Sequence, residues 1–326
     1  MANELEQWVE RLRAGDARAL ARAVSMVENR EPGSSGLLKA LFRHSGRARI
    51  LGLTGAPGAG KSTLVDHLAR HYRAENRTLA IIAVDPTSPY TGGAILGDRI
   101  RMQHHFSDAG IYIRSMATRG SLGGLAGTTA DVAMVLDASG RDLIMIETVG
   151  VGQDEVDIVR LADITIVILV PGMGDDVQSI KAGIMEIADI FVINKSDREG
   201  AERVEREIRA LQSLATRSDN WTPPIVKTVA SEGTGVAELA GAIAAYESFL
   251  STRNLALGRR LQNWRDRLLE MLRAAMLDRA RAQMGDGEVE RLALEITEHR
   301  RDPYSVIEEI LNRLQPQSRA NSDVPH

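Results

Sequence analysis

The residue types needed to hold a phosphate group occur together in one stretch, Gly55-Ala56-Pro57-Gly58-Ala59-Gly60-Lys61-Ser62-Thr63. It fits the pattern Gly-x-x-x-x-Gly-Lys-Ser/Thr, in which the lysine reaches the terminal phosphates of a nucleotide and the hydroxyl binds Mg²⁺. Glycine lets backbone N–H groups turn towards a phosphate without a Cβ in the way. We therefore expect these residues to bind a nucleotide, with Lys61 as a catalytic residue and Ser62 as a metal ligand.

The sequence on either side of this stretch strengthens the prediction. Residues 49–54 form a short apolar run typical of a buried strand, and residues 64–69 begin a helical pattern. A helix that starts here points its positive end at the phosphate. An ordinary glycine-rich turn would not explain Lys61 and Ser62 at the required positions.

A second stretch, Asn194-Lys195-Ser196-Asp197, has the residue types that recognise guanine. A carboxylate at Asp197 can accept hydrogen bonds from both N1–H and the amino group of guanine, and adenine offers no matching donors. Sites built on such hydrogen bonds reject analogues by factors on the order of 10⁴. The alternative is a helix N-cap at Ser196 or Asp197. The later turn at residues 229–233 is expected to offer backbone N–H groups to guanine O6, from Ala230, Ser231 and Glu232.

Carboxylates at the ends of two other predicted strands indicate a metal site. Glu147 ends an apolar strand and is followed by Gly150, an arrangement that suits a Mg²⁺-orienting carboxylate and an amide near the γ-phosphate. Asp85 ends the second strand, and Asp98 lies in a glycine-rich segment. Hard cations prefer such oxygen ligands. The alternatives are an N-cap at Asp85 and a solvated loop charge at Asp98.

Two further predictions concern catalysis and switching. Gln153 lies six residues after Glu147, where its amide is expected to position the attacking water, although an ordinary surface residue is the alternative. The glycine-containing segment 171–183 is expected to respond to the nucleotide state through Asp175, Gln178 and Lys181. An ordinary loop between a strand and a helix, capped by Asp175 or Asp176, explains this segment almost as well.

Short apolar strands separated by helices position these residues. Beyond residues 49–54, strands are predicted at 78–84, 111–116, 143–146, 164–170, 190–193 and 225–229. This alternation predicts an α/β fold, with a mostly parallel sheet covered by helices on both faces. Ligands in such folds bind at the carboxyl ends of the strands, which is where the polar residues above are found.

Helical extensions flank the sheet on both sides. We expect a helical N-terminal extension at 1–46, a nucleotide-binding domain at 47–250 and a helical C-terminal arm at 251–326 that ends in a polar tail. A turn is expected at 31–36. Apolar residues recur every three or four positions along 257–276, which predicts a long helix buried against the same chain or a second copy.

Composition limits the function classes. The 326 residues contain 44% hydrophobic residues and 26% charged residues, with a formal net charge of −4 that argues against broad binding to nucleic acid. There is no cysteine, which excludes disulfides, thiolate metal sites and cysteine nucleophiles. No apolar run approaches the length of a membrane span. The expected location is the cytoplasm.

Five stretches together resemble the methylmalonyl-CoA mutase-associated GTPases, namely 55–63, 84–88, 118–124, 147–153 and 194–197. The run Glu-Thr-Val-Gly-Val-Gly-Gln from Glu147 to Gln153 is the most specific of them. The wider class includes nickel-insertion and cobalamin-related GTPases, and it has glutamate where other GTPases place aspartate. The resemblance covers about residues 35–315, including the C-terminal helices.

The resemblance implies a P-loop NTPase fold, slow hydrolysis of GTP to GDP with Mg²⁺, and a homodimer formed by the C-terminal helices. It also implies association with an adenosylcobalamin-dependent methylmalonyl-CoA mutase, protection of that mutase, and gated cofactor delivery from an adenosyltransferase. One alternative is a metallochaperone GTPase for a nickel enzyme, which the lack of cysteine disfavours. Another is a kinase of the arginine-transport type, which would prefer ATP, whereas Asn194 and Asp197 favour guanine.

Overall fold

A computed structural model describes residues 2–85, 105, 107–117, 124–148, 161–172, 187–214, 217 and 219–314. Its contacts divide the chain into two compact units, one up to Trp264 and the other from Arg265 onward. No helix in the described part of the chain combines the length and the apolar character needed to cross a membrane.

Within the described residues, seven strands form one sheet in the order β3-β2-β4-β1-β5-β6-β7. All the pairings between neighbouring strands are parallel. The predicted strands are confirmed, with ends that differ by one or two residues. They are β1 Arg49–Gly55, β2 Leu79–Asp85, β3 Ile111–Ala117, β4 Leu143–Thr148, β5 Ile164–Leu169, β6 Ile190–Asn194 and β7 Ile225–Thr228.

Ten helices lie within the described residues: α1 Ala2–Arg13, α2 Ala17–Glu28, α3 Ser34–Phe42, α4 Lys61–Ala74, α5 Gly124–Ala138, α6 Ala201–Leu214, α7 Val236–Thr252, α8 Leu255–Gln283, α9 Glu288–Thr297 and α10 Pro303–Leu314. One local expectation was wrong, because the turn expected at 31–36 ends at Gly33 and Ser34 already begins α3. Gly33 takes a left-handed φ of 91°, which lets the chain reverse and start the helix early.

Helices cover both faces of the sheet, which explains why its central strands β4, β5 and β6 are almost entirely apolar. On one face, Leu53 and Ile166 belong to a buried cluster that includes Leu68 of α4 and Ile243 of α7. On the other face, one cluster joins β2 and β4 to α2 and α5, and a second joins β5 and β6 to α6. The predicted α/β fold with helices on both faces is confirmed.

The strand order gathers the ends of strands that are far apart in the sequence. β1 lies between β4 and β5, and the connection from β1 leads to β2 on the far side of β4. Parallel strands end at one edge of the sheet, so the residues after β1, β4, β6 and β7 share that edge. The candidate functional residues lie there.

The predicted apolar stripe is present along α8, and it is exposed within this single chain. Its side chains are exposed by 77% at Leu257, 69% at Leu261, 44% at Trp264, 64% at Leu268 and 54% at Leu272. Among the described residues nothing buries this stripe, and its burial against the same chain or a second copy stays a prediction.

Candidate nucleotide-binding site

The loop between β1 and α4 needs glycine because its backbone passes close to other groups. A Cβ at Gly55 would lie 2.1 Å from the carbonyl oxygen of Ile168, and a Cβ at Gly60 would lie 2.4 Å from Asn194 Nδ2. Gly58 and Gly60 also have left-handed φ angles of 76° and 87°. The glycine pattern is thus enforced by contacts to β5 and β6 as well as by backbone conformation.

Lys61 begins α4, and its ammonium group lies over the preceding loop. Its Nζ donates hydrogen bonds to the carbonyl oxygens of Gly55 at 2.7 Å and Ala56 at 3.0 Å, and the side chain is buried. The first N–H groups of a helix are available to an anion. A phosphate bound at this loop would therefore meet both the helix start and the Lys61 cation.

Ser62 and Glu147 meet beneath this loop. The Ser62 hydroxyl donates to Glu147 Oε1 at 2.6 Å, and both side chains are buried. The pairing of β1 with β4 produces this contact, because Glu147 lies opposite Leu53 in the register of the two strands. A buried hydroxyl and a carboxylate oxygen beside a phosphate loop form the donor set that Mg²⁺ prefers, so the residues present fit this ion.

Asn194 joins the guanine motif to the phosphate loop. Its Nδ2 donates to the carbonyl oxygen of Ala59 at 2.7 Å. Its Oδ1 accepts from the Thr228 hydroxyl at 3.1 Å and from the Ala230 N–H at 3.0 Å. Lys195 adds a hydrogen bond from Nζ to the Gly58 carbonyl oxygen at 2.8 Å. The side chains of Asn194 and Lys195 therefore form hydrogen bonds with other residues of the chain.

Asp197 follows on the exposed side of the same turn. The turn is held against β7 by a 3.1 Å hydrogen bond from the Ser196 N–H to the Thr228 carbonyl oxygen. Beyond β7, Val229 and Thr234 form an antiparallel bridge that closes the loop containing Ala230, Ser231 and Glu232. Ala230 is buried and its N–H is directed at Asn194, whereas Ser231 and Glu232 are exposed.

The structure thus brings Lys61, Ser62, Glu147 and Asn194 to one edge of the sheet, with Asp85 as the last residue of β2 at that edge. The remaining predicted residues lie outside the described part of the chain: Asp98, Gln153, Asp175, Gln178 and Lys181. Sequence reasoning missed Thr228, whose hydroxyl helps to hold Asn194. Its position as the last residue of an apolar strand was the available signal.

The family model described as Methylmalonyl Co-A mutase-associated GTPase MeaB matches residues 20–285. The chain belongs to the MeaB family. The resemblance inferred from the five sequence motifs is thereby confirmed.

Individual MeaB relatives match along most of the chain. A protein from Pyrococcus abyssi named as a GTPase is 46% identical over 313 residues, which cover 95% of this chain and 97% of the relative. The mouse protein named methylmalonic aciduria type A homolog, mitochondrial, is 34% identical over 286 residues, 81% of this chain and 69% of the relative. A crystal structure described as LAO/AO transport system kinase superposes with a TM-score of 0.72 at 27% identity, covering 97% of this chain and 99% of that one.

Proposed function

We propose that this protein hydrolyses GTP to GDP with Mg²⁺ and uses the nucleotide cycle to act as a chaperone of adenosylcobalamin-dependent methylmalonyl-CoA mutase. In this role it protects the mutase and gates the loading of its cofactor from an adenosyltransferase. The observation that carries the GTPase assignment is Asn194, which links the guanine motif directly to the phosphate loop through Ala59. The family description and the name of the mouse relative support the choice of the mutase as partner.

Hydrolysis at this site depends on positioning and on electrostatic stabilisation of the transferring phosphoryl group. Lys61 exchanges its contacts with the Gly55 and Ala56 carbonyl oxygens for phosphate oxygens, and the N–H groups at the start of α4 donate to the same anion. Ser62 and Glu147, with Asp85 and Asp98, are the residues that would hold Mg²⁺, which compensates the phosphate charge when bound. Gln153 is proposed to orient the attacking water. Turnover without a partner is expected to be slow.

Guanine selectivity is assigned to the carboxylate of Asp197. Asn194 and Lys195 hold the turn through the loop carbonyl oxygens of Ala59 and Gly58, so the position of Asp197 is fixed relative to the phosphate loop. A base without paired donors would leave the carboxylate desolvated and unpaired, which disfavours adenine. The exposed residues Ser231 and Glu232 lie on the neighbouring loop and complete the proposed base site.

Two substitutions test the nucleotide assignment. Lys61→Ala should abolish GTP hydrolysis, and unchanged turnover would contradict the phosphate-loop role. Asp197→Asn should weaken GTP binding and favour xanthosine triphosphate, whose C2 oxygen accepts the hydrogen bond that the new amide donates. Lys227→Asn, an exposed residue of β7, serves as a matched control that should keep the preference for GTP.

The exposed stripe of α8 supports a homodimer in which two stripes cover each other. The helix has 29 residues, so it is about 44 Å long, enough for a continuous interface. Contiguous apolar surface of this extent is unusual on a monomer. Leu268→Glu combined with Leu272→Glu should convert the dimer to a monomer in sedimentation analysis. Ala274→Glu, an exposed position on the opposite side of α8, should leave the dimer intact.

The proposed partner is tested by calorimetric titration of the dimer with methylmalonyl-CoA mutase, with and without a non-hydrolysable GTP analogue. Binding whose affinity changes with the nucleotide is expected. No binding in either state would overturn the chaperone assignment while leaving the GTPase assignment standing.

The alternative of a kinase has one observation in its favour, the description of the similar crystal structure as a transport-system kinase. A kinase would transfer the γ-phosphoryl group to a protein or small molecule instead of water. Incubation with γ-labelled GTP separates the two functions, because a hydrolase releases all the label as inorganic phosphate. A metallochaperone role is disfavoured, because the chain has no cysteine that could bind a metal ion as a thiolate.

A further inference from the structure

A cavity of about 560 Å³ opens at the edge of the sheet opposite the phosphate loop. Its lining includes Arg49, the first residue of β1, together with Arg77 and Arg141, which lie two residues before the starts of β2 and β4. Because the strands are parallel, their starting ends share the edge that faces away from Gly55. Arg13 at the end of α1 and Arg47 before β1 complete a lining that contains five arginines.

Three carboxylates also line this cavity, but other groups of the protein already satisfy each of them. Asp137 accepts hydrogen bonds from the backbone N–H groups of residues 46–48. Asp142 accepts from the N–H of Thr78 at 2.7 Å and from its hydroxyl at 2.8 Å. Glu247 accepts from Arg49 Nε at 2.9 Å. Five arginines against three carboxylates leave the lining with a formal excess of two positive charges.

Arg77 pairs with Glu75 at 3.6 Å, and the three other arginines retain capacity to bind an anion. Within the described residues, neither Arg13 nor Arg47 forms an ion pair, and both are exposed. Arg141 donates from Nη1 to the Ala109 carbonyl oxygen at 3.2 Å, while its buried Nε has no hydrogen-bond partner among the described residues. Burial, followed by the nearby charge of Arg73, lowers the pKa of Arg141. An anion beside this guanidinium would relieve both effects.

We propose that this cavity binds a small anion carrying two or more linked phosphate groups, at a site separate from the GTP site. Its volume lies in the range of small-molecule pockets, about 300–1,000 Å³. Guanidinium groups pair with phosphate oxygens in a bidentate way. The arginines come from α1, from the segment before β1 and from the segment before β4. An anion with several linked phosphate groups offers oxygens to more of these guanidinium groups at once than a single carboxylate or monophosphate does. The bound anion would also tie α1 to the sheet.

The test is calorimetric titration of the full chain with inorganic pyrophosphate, after saturation of the GTP site with a non-hydrolysable GTP analogue. We expect one additional site per chain, with inorganic monophosphate at least about tenfold weaker. Arg13→Glu combined with Arg47→Glu should weaken pyrophosphate binding at least about tenfold. Arg206→Glu, a charge reversal at an exposed position of α6 outside the cavity, should leave it unchanged.

The position of the anion has its own readout in the imidazole of His44, which also lines the cavity. Partial burial, followed by the charges of Arg13, Arg43 and Arg47, lowers the pKa of His44. Pyrophosphate should raise that pKa in an NMR titration of the wild type and of Arg206→Glu. The proposal would be overturned if no second site were found, or if the double variant bound pyrophosphate as tightly as the wild type. It would also be overturned if an oligoglutamate peptide bound and pyrophosphate did not.

Discussion

Replacing Asn194 by alanine should lower the free energy of unfolding of the protein, even when no nucleotide is bound. The side chain is 1% exposed and makes three hydrogen bonds, to Ala59, Thr228 and Ala230. Its loss leaves the Ala59 carbonyl oxygen and the Ala230 N–H without these partners. Each buried group left unsatisfied costs about 1–3 kcal/mol. We therefore expect the free energy of unfolding to fall by about 3 kcal/mol.

Thermal unfolding of the nucleotide-free protein measures this effect. For 326 residues the unfolding entropy is about 0.7 kcal/mol/K, so about 1 kcal/mol shifts the midpoint by about 1–2 °C and Asn194→Ala should lower it by about 3–6 °C. Thr228→Val removes one of the three hydrogen bonds and should cost about 1 kcal/mol. Lys195→Ala removes only a surface hydrogen bond to Gly58 and should change the midpoint by about 2 °C or less.

An unchanged midpoint for Asn194→Ala, accompanied by weak GTP binding, would refute this reasoning. It would mean that Asn194 acts on the base alone and that the hydrogen bond to Ala59 contributes nothing to the free protein. A shift equal to that of Lys195→Ala would lead to the same conclusion.

Three further predictions concern stability. Gly235→Ala should cost several kcal/mol in a denaturant titration, because φ is +81° and the added Cβ would lie 2.1 Å from the Lys227 carbonyl oxygen. Gly241→Ala, with open space around it in α7, should stabilise the protein by up to about 1 kcal/mol in the same measurement. Asp189→Asn should lower the free energy of unfolding by about 3–5 kcal/mol, since the 1% exposed carboxylate pairs with Arg217 at 3.1 Å and Arg259 at 2.6 Å. A smaller loss of stability than for Asp219→Asn would contradict this prediction. Hydrogen bonds, first from Arg313, lower the pKa of Glu288. Its contribution to stability is therefore present above the unfolded pKa of about 4.3 and is lost as pH falls below that value. Glu288→Gln should make the helix content, measured by circular dichroism, depend less on acid pH.

The sheet was predictable because each strand is a short apolar run that ends in polar or glycine residues. Burial on both faces removes the alternation of polar and apolar residues, so length and end signals carry the prediction. The start of α3 was less predictable, because Ser34 and Gly36 favour a turn and only the left-handed conformation of Gly33 reveals that the helix has begun. The amino-acid composition of this segment does not indicate that Gly33 takes the left-handed conformation before the helix.

The phosphate loop was predictable because its chemistry lies within nine neighbouring residues. The contacts that assemble the site were not, because they join distant positions. Asn194 meets Ala59 across 135 positions and Ser62 meets Glu147 across 85, and both contacts depend on the order of β4, β1, β5 and β6 in the sheet. The basic cavity at the opposite edge could not be predicted for the same reason, since its five arginines come from four separate segments. The apolar stripe of α8 was predictable because apolar residues recur there every three or four positions, but this spacing does not reveal what covers the stripe.

The close contact between Gly60 and Asn194 has a consequence for how the two halves of the site act together. A glycine here permits the left-handed turn of the phosphate loop and also leaves the space that Asn194 Nδ2 occupies, 2.4 Å from where a Cβ would lie. If the loop moves on phosphate binding or release, we expect this contact to shift Asn194, and with it the turn that carries Asp197. Because Asn194 also holds Thr228 and Ala230, the same movement reaches the loop after β7. In the proposed GTP site, one buried side chain would thus couple phosphate binding to base recognition, so we expect loss of the γ-phosphate to change the affinity for the base.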